Sequence, residues 1–267
     1  MESMKIHILS GSEDSLSSAS GYCSSCYRDH TVSRANCRPF GLELMELLAN
    51  KKCIALDPLS YSDQETFSTD SLFRESRGKM FGVMECLAAD GTTLRFKAFS
   101  GQFNGYWRVE GWVPPLFDFY TWTRLNTTTE PVIKKLGEEA RACPDDPVKR
   151  KRLLRERKVL SQNLMKKLHG IYRLTNFRGQ TVSLTDLISK NTGIPTGTGD
   201  CCAPKLLNFA ATHNLIPTGI AEFYWGRENK SGNRWHRHFY NPCTEKCALI
   251  LGFLLCGLEE LYVRQGI

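Results

Sequence analysis

Four cysteines in the second half of the chain have the type and spacing of metal ligands. Cys243 and Cys247 stand four residues apart in "NPCTEKC", and Cys201 and Cys202 are adjacent in "GTGDCCAPKLL". Residues four apart share one face of a helix, so Cys243 and Cys247 are predicted to lie together in a first helical turn. A helix N-terminus lowers the pKa of a thiol, and zinc prefers thiolates. The spacing therefore predicts a zinc site.

Zinc needs four ligands in a tetrahedron, so the pair at Cys243 and Cys247 requires two more. Both Cys201 and Cys202 lie near the predicted start of another helix, and we select Cys201. His236, His238 or a water molecule could complete the tetrahedron, and among these we select His238. Two other interpretations stay open for these thiols, namely buried cysteines without a metal and a redox pair.

A second group of candidate ligands lies near the N-terminus, in "CSSCYRDHTVSRANC". It consists of Cys23, Cys26, His30 and Cys37, with the spacing C-x2-C-x3-H-x6-C. One zinc ion bound there would stabilise a region that has little apolar core of its own. The alternative is a flexible segment without a metal.

Hydrolytic chemistry at a zinc ion requires a group that carries the proton. Asp200 directly precedes Cys201, and Glu222 lies in the predicted buried strand "TGIAEFYWG". These two acids are the candidate catalytic residues. Glu222 is the stronger candidate, because a strand residue beside the site can point at a metal-bound water.

The elements that must position these side chains follow from the pattern of the chain. Residues 80–87 and 93–99 are strand-like and flank Asp90-Gly91, a strong hairpin signal. A helix, a strand and a second helix follow, and each helix opens with cysteines. We predict an α+β fold with a deaminase-like α/β/α core, comprising residues 78–267, after a polar tail and Cys/His-containing region at 1–77.

A basic antiparallel helical arm is predicted as an insertion at about residues 130–174. Residues 147–168 hold nine Lys or Arg and a single acid, Glu156, within a chain of 267 residues and net charge +7. Such a stripe favours a polyanionic partner, although a merely solvated helix face is the alternative. The predicted contacts with nucleic acid on the arm are Lys149, Arg150, Lys151, Arg152, Arg155, Arg157 and Lys158.

Further contacts with nucleic acid are predicted near the cysteine site. They are Lys205, Trp225, Trp235 and His236, with the aromatic rings able to stack on bases or, alternatively, to pack in the core. No stretch approaches the roughly 18 apolar residues of a membrane span, and the N-terminus lacks a basic region followed by an apolar block. We therefore expect a cytoplasmic protein without a membrane partner, in which the eleven cysteines are reduced.

The arrangement resembles the zinc-dependent deaminase fold, in which a His or Cys and a Pro-Cys-x-x-Cys motif bind zinc and a glutamate moves protons. Here the pair after Pro242 is one residue wider. With Cys201 as the ligand, the position of the family's glutamate is taken by Ala203. The resemblance therefore supports a metal site more than it supports deamination.

A closer resemblance is to the accessory N-terminal region of long bacterial RluA-type RNA pseudouridine synthases. The motifs "CYRDH", "GKMFGV", "AFSG", "VPPLFD", "GTGDCCAPKLL", "AEFYWG" and "HFYNPCTEKC" carry it, in order, over most of residues 26–256. The positions that it marks as functional candidates are Cys26, His30, Asp200, Cys201, Lys205, Glu222, Trp225, His238, Cys243 and Cys247. The Arg-Leu-Asp motif of the synthases is absent from the chain, so the resemblance implies a region that does not itself isomerise uridine.

Three functions follow as expectations. The first is a zinc-binding module that associates with RNA, either rRNA or tRNA, and that could also associate with a separate RNA-modifying enzyme. The second is a zinc-dependent hydrolytic deaminase that acts on a nucleobase or nucleoside. The third is a structural or partner-binding protein that holds no metal.

Overall fold

The computed structural model describes residues 19–33, 37–56, 65–188 and 193–266, and it has a mixed α+β fold. The strands are β1 (Ala19–Cys23), β2 (Arg28–Val32), β3 (Lys79–Leu87), β4 (Thr93–Phe99), β5 (Arg173–Thr175), β6 (Thr181–Ser183), β7 (Ile216–Trp225) and β8 (Phe239–Tyr240). The helices are α1 (Arg38–Lys51), α2 (Phe119–Arg141), α3 (Pro147–Ile171), α4 (Leu184–Leu187), α5 (Cys202–Thr212), α6 (Ala248–Leu255) and α7 (Leu258–Gln265), with a 3-10 helix at Thr69–Phe73. None of the helices in these ranges has both the length and the apolar character that crossing a membrane requires.

The central sheet has four antiparallel strands in the order β4–β3–β7–β8. The predicted hairpin of β3 and β4 is confirmed, because Gly91 takes a φ of 83° in the turn and Asp90 accepts a hydrogen bond from the N–H of Thr92. β7 adds to the other side of β3 and pairs with it along its whole length. The centre of the sheet is therefore built from segments that lie far apart in the sequence.

Side chains alternate between the two faces of β3 and β7, and each face has its own core. Phe81 and Phe223 point towards α1, whereas Met84 and Ile220 point towards α5 and α6. The described part of residues 1–77 shares both cores with the later residues, since β1 and β2 join the second face and α1 covers the first. Helices thus lie on both faces of the sheet.

The helical arm is formed by α2 and α3, and it begins earlier than the predicted residue 130. Asp118 caps α2 by accepting a hydrogen bond from the N–H of Thr121 at 2.8 Å, and the helix then continues through Pro131. The sequence favours a start at that proline because proline is common in a first helical turn. Apolar side chains between the two helices hold the arm together: Leu136, Ala140, Leu153 and Leu160.

The backbone of the N-terminal hairpin, formed by β1 and β2, lies in direct contact with the backbone of α6. A Cβ atom added to Gly252 would stand 2.0 Å from the carbonyl oxygen of Tyr22, and one added to Gly21 would stand 2.4 Å from the Gly252 nitrogen. Only residues without a side chain fit at these two positions. The contact fixes the end of β1 next to the last turn of α6.

Gly252→Ala is therefore expected to destabilise the protein by about 1–3 kcal/mol, because two stretches of backbone must move apart. Gly170→Ala, in α3, is the matched control, since a Cβ there meets nothing within 4 Å. Urea unfolding of both variants measures the effect. A Gly252→Ala protein as stable as the Gly170→Ala protein would contradict the close packing of α6 on β1.

Candidate metal centres

The cysteines of "GTGDCCAPKLL" are positioned by one cross-strand pair of the central sheet. Gly82 of β3 lies opposite Glu222 of β7, and a Cβ added to Gly82 would stand 2.5 Å from the Cβ of Cys202. The glycine lets α5 approach the sheet closely. The Glu222 carboxylate then accepts a hydrogen bond from the N–H of Ala203, in the first turn of α5, at 2.5 Å.

Three thiols meet beside this carboxylate. The Sγ atoms of Cys201 and Cys243 are 4.0 Å apart, and those of Cys243 and Cys247 are 3.4 Å apart. All three sulfur atoms lie within 4.8 Å of one another. A tetrahedral zinc ion with Zn–S bonds of about 2.3 Å holds its sulfur ligands about 3.8 Å apart, which is close to this spacing. The three predicted cysteines are thus brought together in a geometry that can hold a metal ion.

The adjacent Cys202 faces the core, whereas the selected Cys201 does not. Its side chain is fully buried, and its thiol donates to the carbonyl oxygen of Met80 at 3.4 Å. Cys201 is the N-cap of α5 and stays partly exposed. The orientation of the first turn of α5 therefore determines that Cys201, and not Cys202, can bind a metal.

The local structure at Cys243 differs from the prediction. Cys243 and Cys247 do not share a first helical turn, because α6 begins only at Ala248, with Cys247 as its N-cap. The preceding residues form turns that fold around the sulfur, and the N–H groups of Lys246 and Cys247 point at the Cys243 Sγ. Backbone amides directed at a sulfur stabilise its thiolate, which is the form that binds a metal.

The three thiols influence one another's protonation. Hydrogen bonding with Cys201 and with Cys247 lowers the pKa of Cys243 well below its usual value. The same interactions raise the pKa of Cys201, through its bond with Cys243, and that of Cys247, through its bonds with Cys201 and Cys243. These interactions favour the thiolate form at Cys243.

The two predicted catalytic acids have different surroundings. Burial raises the pKa of Glu222 to about 7, against the opposing effect of the hydrogen bond from Ala203, and the negative charge of Cys243 adds to the rise. Asp200 is only partly buried, but desolvation raises its pKa as well, and its carboxylate accepts a hydrogen bond from the Tyr172 hydroxyl at 2.7 Å. Since Tyr172 directly follows α3, Asp200 ties the base of the arm to the loop that carries Cys201.

The predicted fourth ligand, His238, does not belong to this cluster. Its side chain is exposed, and its Nδ1 lies 2.9 Å from the carbonyl oxygen of His236 in the loop before β8. His236 is occupied as well, because its Nδ1 accepts a hydrogen bond from the N–H of Gly226 and its ring packs against Trp225. The histidines of this loop stabilise the loop itself.

The residues near the cysteines that are predicted to contact nucleic acid differ in how far they are buried. Trp225 is 3% exposed and packs in the core, so the alternative interpretation of this ring is the right one. Lys205 is 1% exposed, and its Nζ donates to the carbonyl oxygens of Phe99 and Gly101. Neither residue can reach a phosphate or a base. Trp235, by contrast, is 52% exposed.

The arm presents its positive charge to solvent. The seven predicted arm contacts are exposed: Lys149, Arg150, Lys151, Arg152, Arg155, Arg157 and Lys158. Within the part of the chain that the structure describes, none of them forms an ion pair with an acid. The positive charge of this stripe is therefore not neutralised by ion pairs with the side chains that the structure describes.

The N-terminal group of ligands also assembles, with one change in membership. Cys23, Cys26 and His30 are joined by Cys256, at the end of α6, rather than by Cys37. Cys37 is buried at the start of α1, where its Sγ accepts a hydrogen bond from the N–H of Glu85, and burial raises its pKa to about 12. Sequence spacing favours the nearest cysteine, whereas the fold supplies one from the opposite end of the chain.

Comparisons with models of known protein families, with curated proteins and with solved structures find no match for this chain. The resemblances to pseudouridine synthases and to zinc deaminases therefore stay predictions that rest on the quoted motifs. The geometry by itself shows two groups of Cys and His side chains whose ligand atoms are close enough to share a metal ion.

The burial of Lys205 predicts a pH dependence of stability. Burial lowers its pKa from 10.5 to about 8, so the folded protein loses this proton at a lower pH than the unfolded chain does. The cost of burying the charge therefore disappears as the pH rises from 8 towards 10.5. The free energy of unfolding of the wild type, relative to Lys205→Met, should rise by about 2 kcal/mol between pH 7 and pH 10.

Urea unfolding at a series of pH values measures this difference. Lys166→Met, at an exposed position of α3, is the matched control, and its curve accounts for the general effect of removing one positive charge. A difference between wild type and Lys205→Met that does not change with pH would show that Lys205 is not buried as a charged group.

Proposed function

We propose that the chain is a zinc-binding, RNA-associated module. Zinc would be held by Cys201, Cys243 and Cys247, and RNA would lie along the basic face of α3. The observation that carries the proposal is the hydrogen bond from Tyr172 to Asp200, since it joins the base of the basic arm to the loop of the cysteine site. A polyanion held by the arm would then reach the surroundings of the metal.

Zinc suits this site better than magnesium or calcium does. Three thiolates are soft ligands, which favour zinc over magnesium or calcium, and their spacing suits a tetrahedron. Among the residues that the structure describes, no fourth Cys, His, Asp or Glu atom joins the group. Three protein ligands with a fourth position left for water or substrate are typical of a reactive zinc site rather than a structural one.

RNA is the polyanion that suits the arm. A stripe of exposed Lys and Arg without acidic partners attracts phosphates and gains free energy from the release of counterions. The exposed ring of Trp235 supplies a surface on which a base could stack, and Arg234 lies over the ring of Tyr240, at 4.2 Å from its centroid, in the same loop. The quoted resemblance to RNA-modifying proteins supports the same partner.

Replacing Arg152, Arg155 and Lys158 together with Gln should weaken RNA binding at least about tenfold at 0.1 M salt. The slope of log K against log salt should fall by about 2, because three phosphate contacts are lost. Fluorescence anisotropy with labelled RNA at several salt concentrations measures both quantities.

The control for this experiment removes the same charge elsewhere. Lys51, Arg74 and Arg264 are exposed and lie outside both the arm and the loop of Trp235, so replacing them with Gln changes net charge equally. An equal loss of affinity in both triple variants would show that RNA responds to net charge and not to the arm. Affinity that is independent of salt would contradict the proposal.

A second candidate function, zinc-dependent hydrolytic deamination, is favoured by the position of Glu222. The carboxylate is held by the N–H of Ala203 next to the three thiols, on a strand rather than at the helical position where deaminases carry their glutamate. A bound zinc ion would supply an activated water at the fourth position. Glu222 would take the proton of that water and pass it to the leaving amine.

This candidate predicts ammonia release from a nucleobase, a nucleoside or RNA by the zinc-loaded protein. Glu222→Gln should lower the rate at least about a hundredfold while zinc is retained, since the amide oxygen can still accept from Ala203. Glu245→Gln, an exposed acid between the two cysteines, is the matched control. Absence of ammonia with a broad panel of substrates would exclude deamination and leave the RNA-associated module. Ammonia release at an unchanged rate in Glu222→Gln would exclude Glu222 as the group that carries the proton.

A further inference from the structure

We propose that Cys23, Cys26, His30 and Cys256 form a second, structural zinc site that joins the N-terminal hairpin to the C-terminal helices. The site is separate from the Cys201 group and does not depend on the proposed function. It differs in kind, because all four positions of a zinc tetrahedron are supplied by protein side chains. Closed sites of this type stabilise folds and do not bind substrate.

The distances suit a single tetrahedral ion. The Cys26 Sγ lies 3.0 Å from the His30 Nε2 and 3.6 Å from the Cys256 Sγ, and all four ligand atoms lie within 4.8 Å of one another. Zn–S and Zn–N bonds of about 2.3 and 2.0 Å place tetrahedral ligands about 3.5 to 3.8 Å apart. The group can therefore accept zinc with shifts of about 1 Å or less.

The histidine is oriented for metal binding by a carboxylate. The His30 Nδ1 lies 2.8 Å from Oε2 of Glu259 in α7, while the Nε2 faces the cysteines. A proton on Nδ1, donated to Glu259, leaves the Nε2 lone pair free for a metal. Histidines that bind zinc almost always make such a bond through the other ring nitrogen. His30 itself is only 4% exposed, so the ring is fixed inside the protein.

The backbone between β1 and β2 is shaped for two sulfur ligands. Tyr27 takes a φ of 58°, and its N–H donates to the carbonyl oxygen of Cys23 at 2.8 Å, which folds the turn tightly. The N–H groups of Ser25 and Cys26 point at the Cys23 Sγ. Positive φ is unfavourable for tyrosine and has to be stabilised by its surroundings. A metal held by Cys23 and Cys26 would add to the stabilisation that the hydrogen bond from Tyr27 gives this turn.

The fourth ligand is brought in by the contact of α6 with β1. Gly252 meets the backbone at Tyr22, one residue before Cys23, and Cys256 follows Gly252 by about one helical turn. Gly257, with a φ of 96°, then turns the chain into α7, which carries Glu259. One metal ion would thus cross-link segments that are 230 residues apart in the sequence, and its binding energy would add to the stability of the fold.

The test measures metal in a protein whose other site is disabled. With Cys201, Cys243 and Cys247 replaced by Ser, the full chain should still bind one equivalent of zinc, and its cobalt form should show the visible bands of a tetrahedral thiolate site. Adding Cys256→Ser should remove this metal, whereas adding Cys37→Ser should not. Zinc lost with Cys37→Ser and kept with Cys256→Ser would overturn the assignment, as would a folded triple variant without metal.

A matched pair of variants tests the role of Glu259. Glu259→Gln should lower the affinity for zinc about 10- to 100-fold, because the carboxylate no longer orients His30. Glu260→Gln should leave it unchanged, since Glu260 pairs with Arg178 instead. Equal affinities in the two variants would overturn this role. If the triple variant does not fold, the zinc contents of the wild type and of Cys256→Ser are compared instead. We expect two equivalents of zinc in the wild type and one in Cys256→Ser. Equal zinc contents in the two proteins would overturn the site.

Discussion

The pairing of Gly82 with Glu222 is the contact on which the Cys201 site depends. The strands β3 and β7 are far apart in sequence, and their register sets a glycine opposite a buried acid on the face that receives α5. A side chain at Gly82 would displace Cys202, and with it the start of α5. The Glu222 carboxylate in turn accepts a hydrogen bond from the N–H of Ala203, in the first turn of α5. The contacts of Gly82 and Glu222 with the start of α5 therefore position both the helix on the sheet and Cys201 in the site.

The two groups of candidate metal ligands differ in what they can do. The group of Cys201 has three sulfur ligands, a nearby carboxylate and a partly exposed position, which are the conditions for a metal that binds a water or a substrate. The group of Cys23 has four protein ligands and a histidine held by Glu259, which are the conditions for a metal that holds chain segments together. One would serve chemistry or recognition, and the other would serve stability.

Much of this arrangement could be predicted from local sequence. The β3–β4 hairpin follows from Asp90-Gly91, and the selection of Cys201, Cys243 and Cys247 follows from their proximity to predicted helix starts. What could not be predicted depends on long-range packing. Cys256 follows an apolar run whose sequence predicts a buried core segment. Only the contact of Gly252 with β1 places Cys256 beside Cys23. Burial of Lys205 likewise follows from the position of α5 on the sheet.

The central claim, that the chain holds two zinc ions on sulfur-rich sites, is tested most directly by zinc X-ray absorption spectroscopy on the full chain together with its metal content. Six cysteines and one histidine shared between two ions predict two zinc equivalents and an average of three sulfur ligands per zinc, at about 2.3 Å. A folded protein with no zinc, or with zinc surrounded mainly by oxygen and nitrogen, would contradict it.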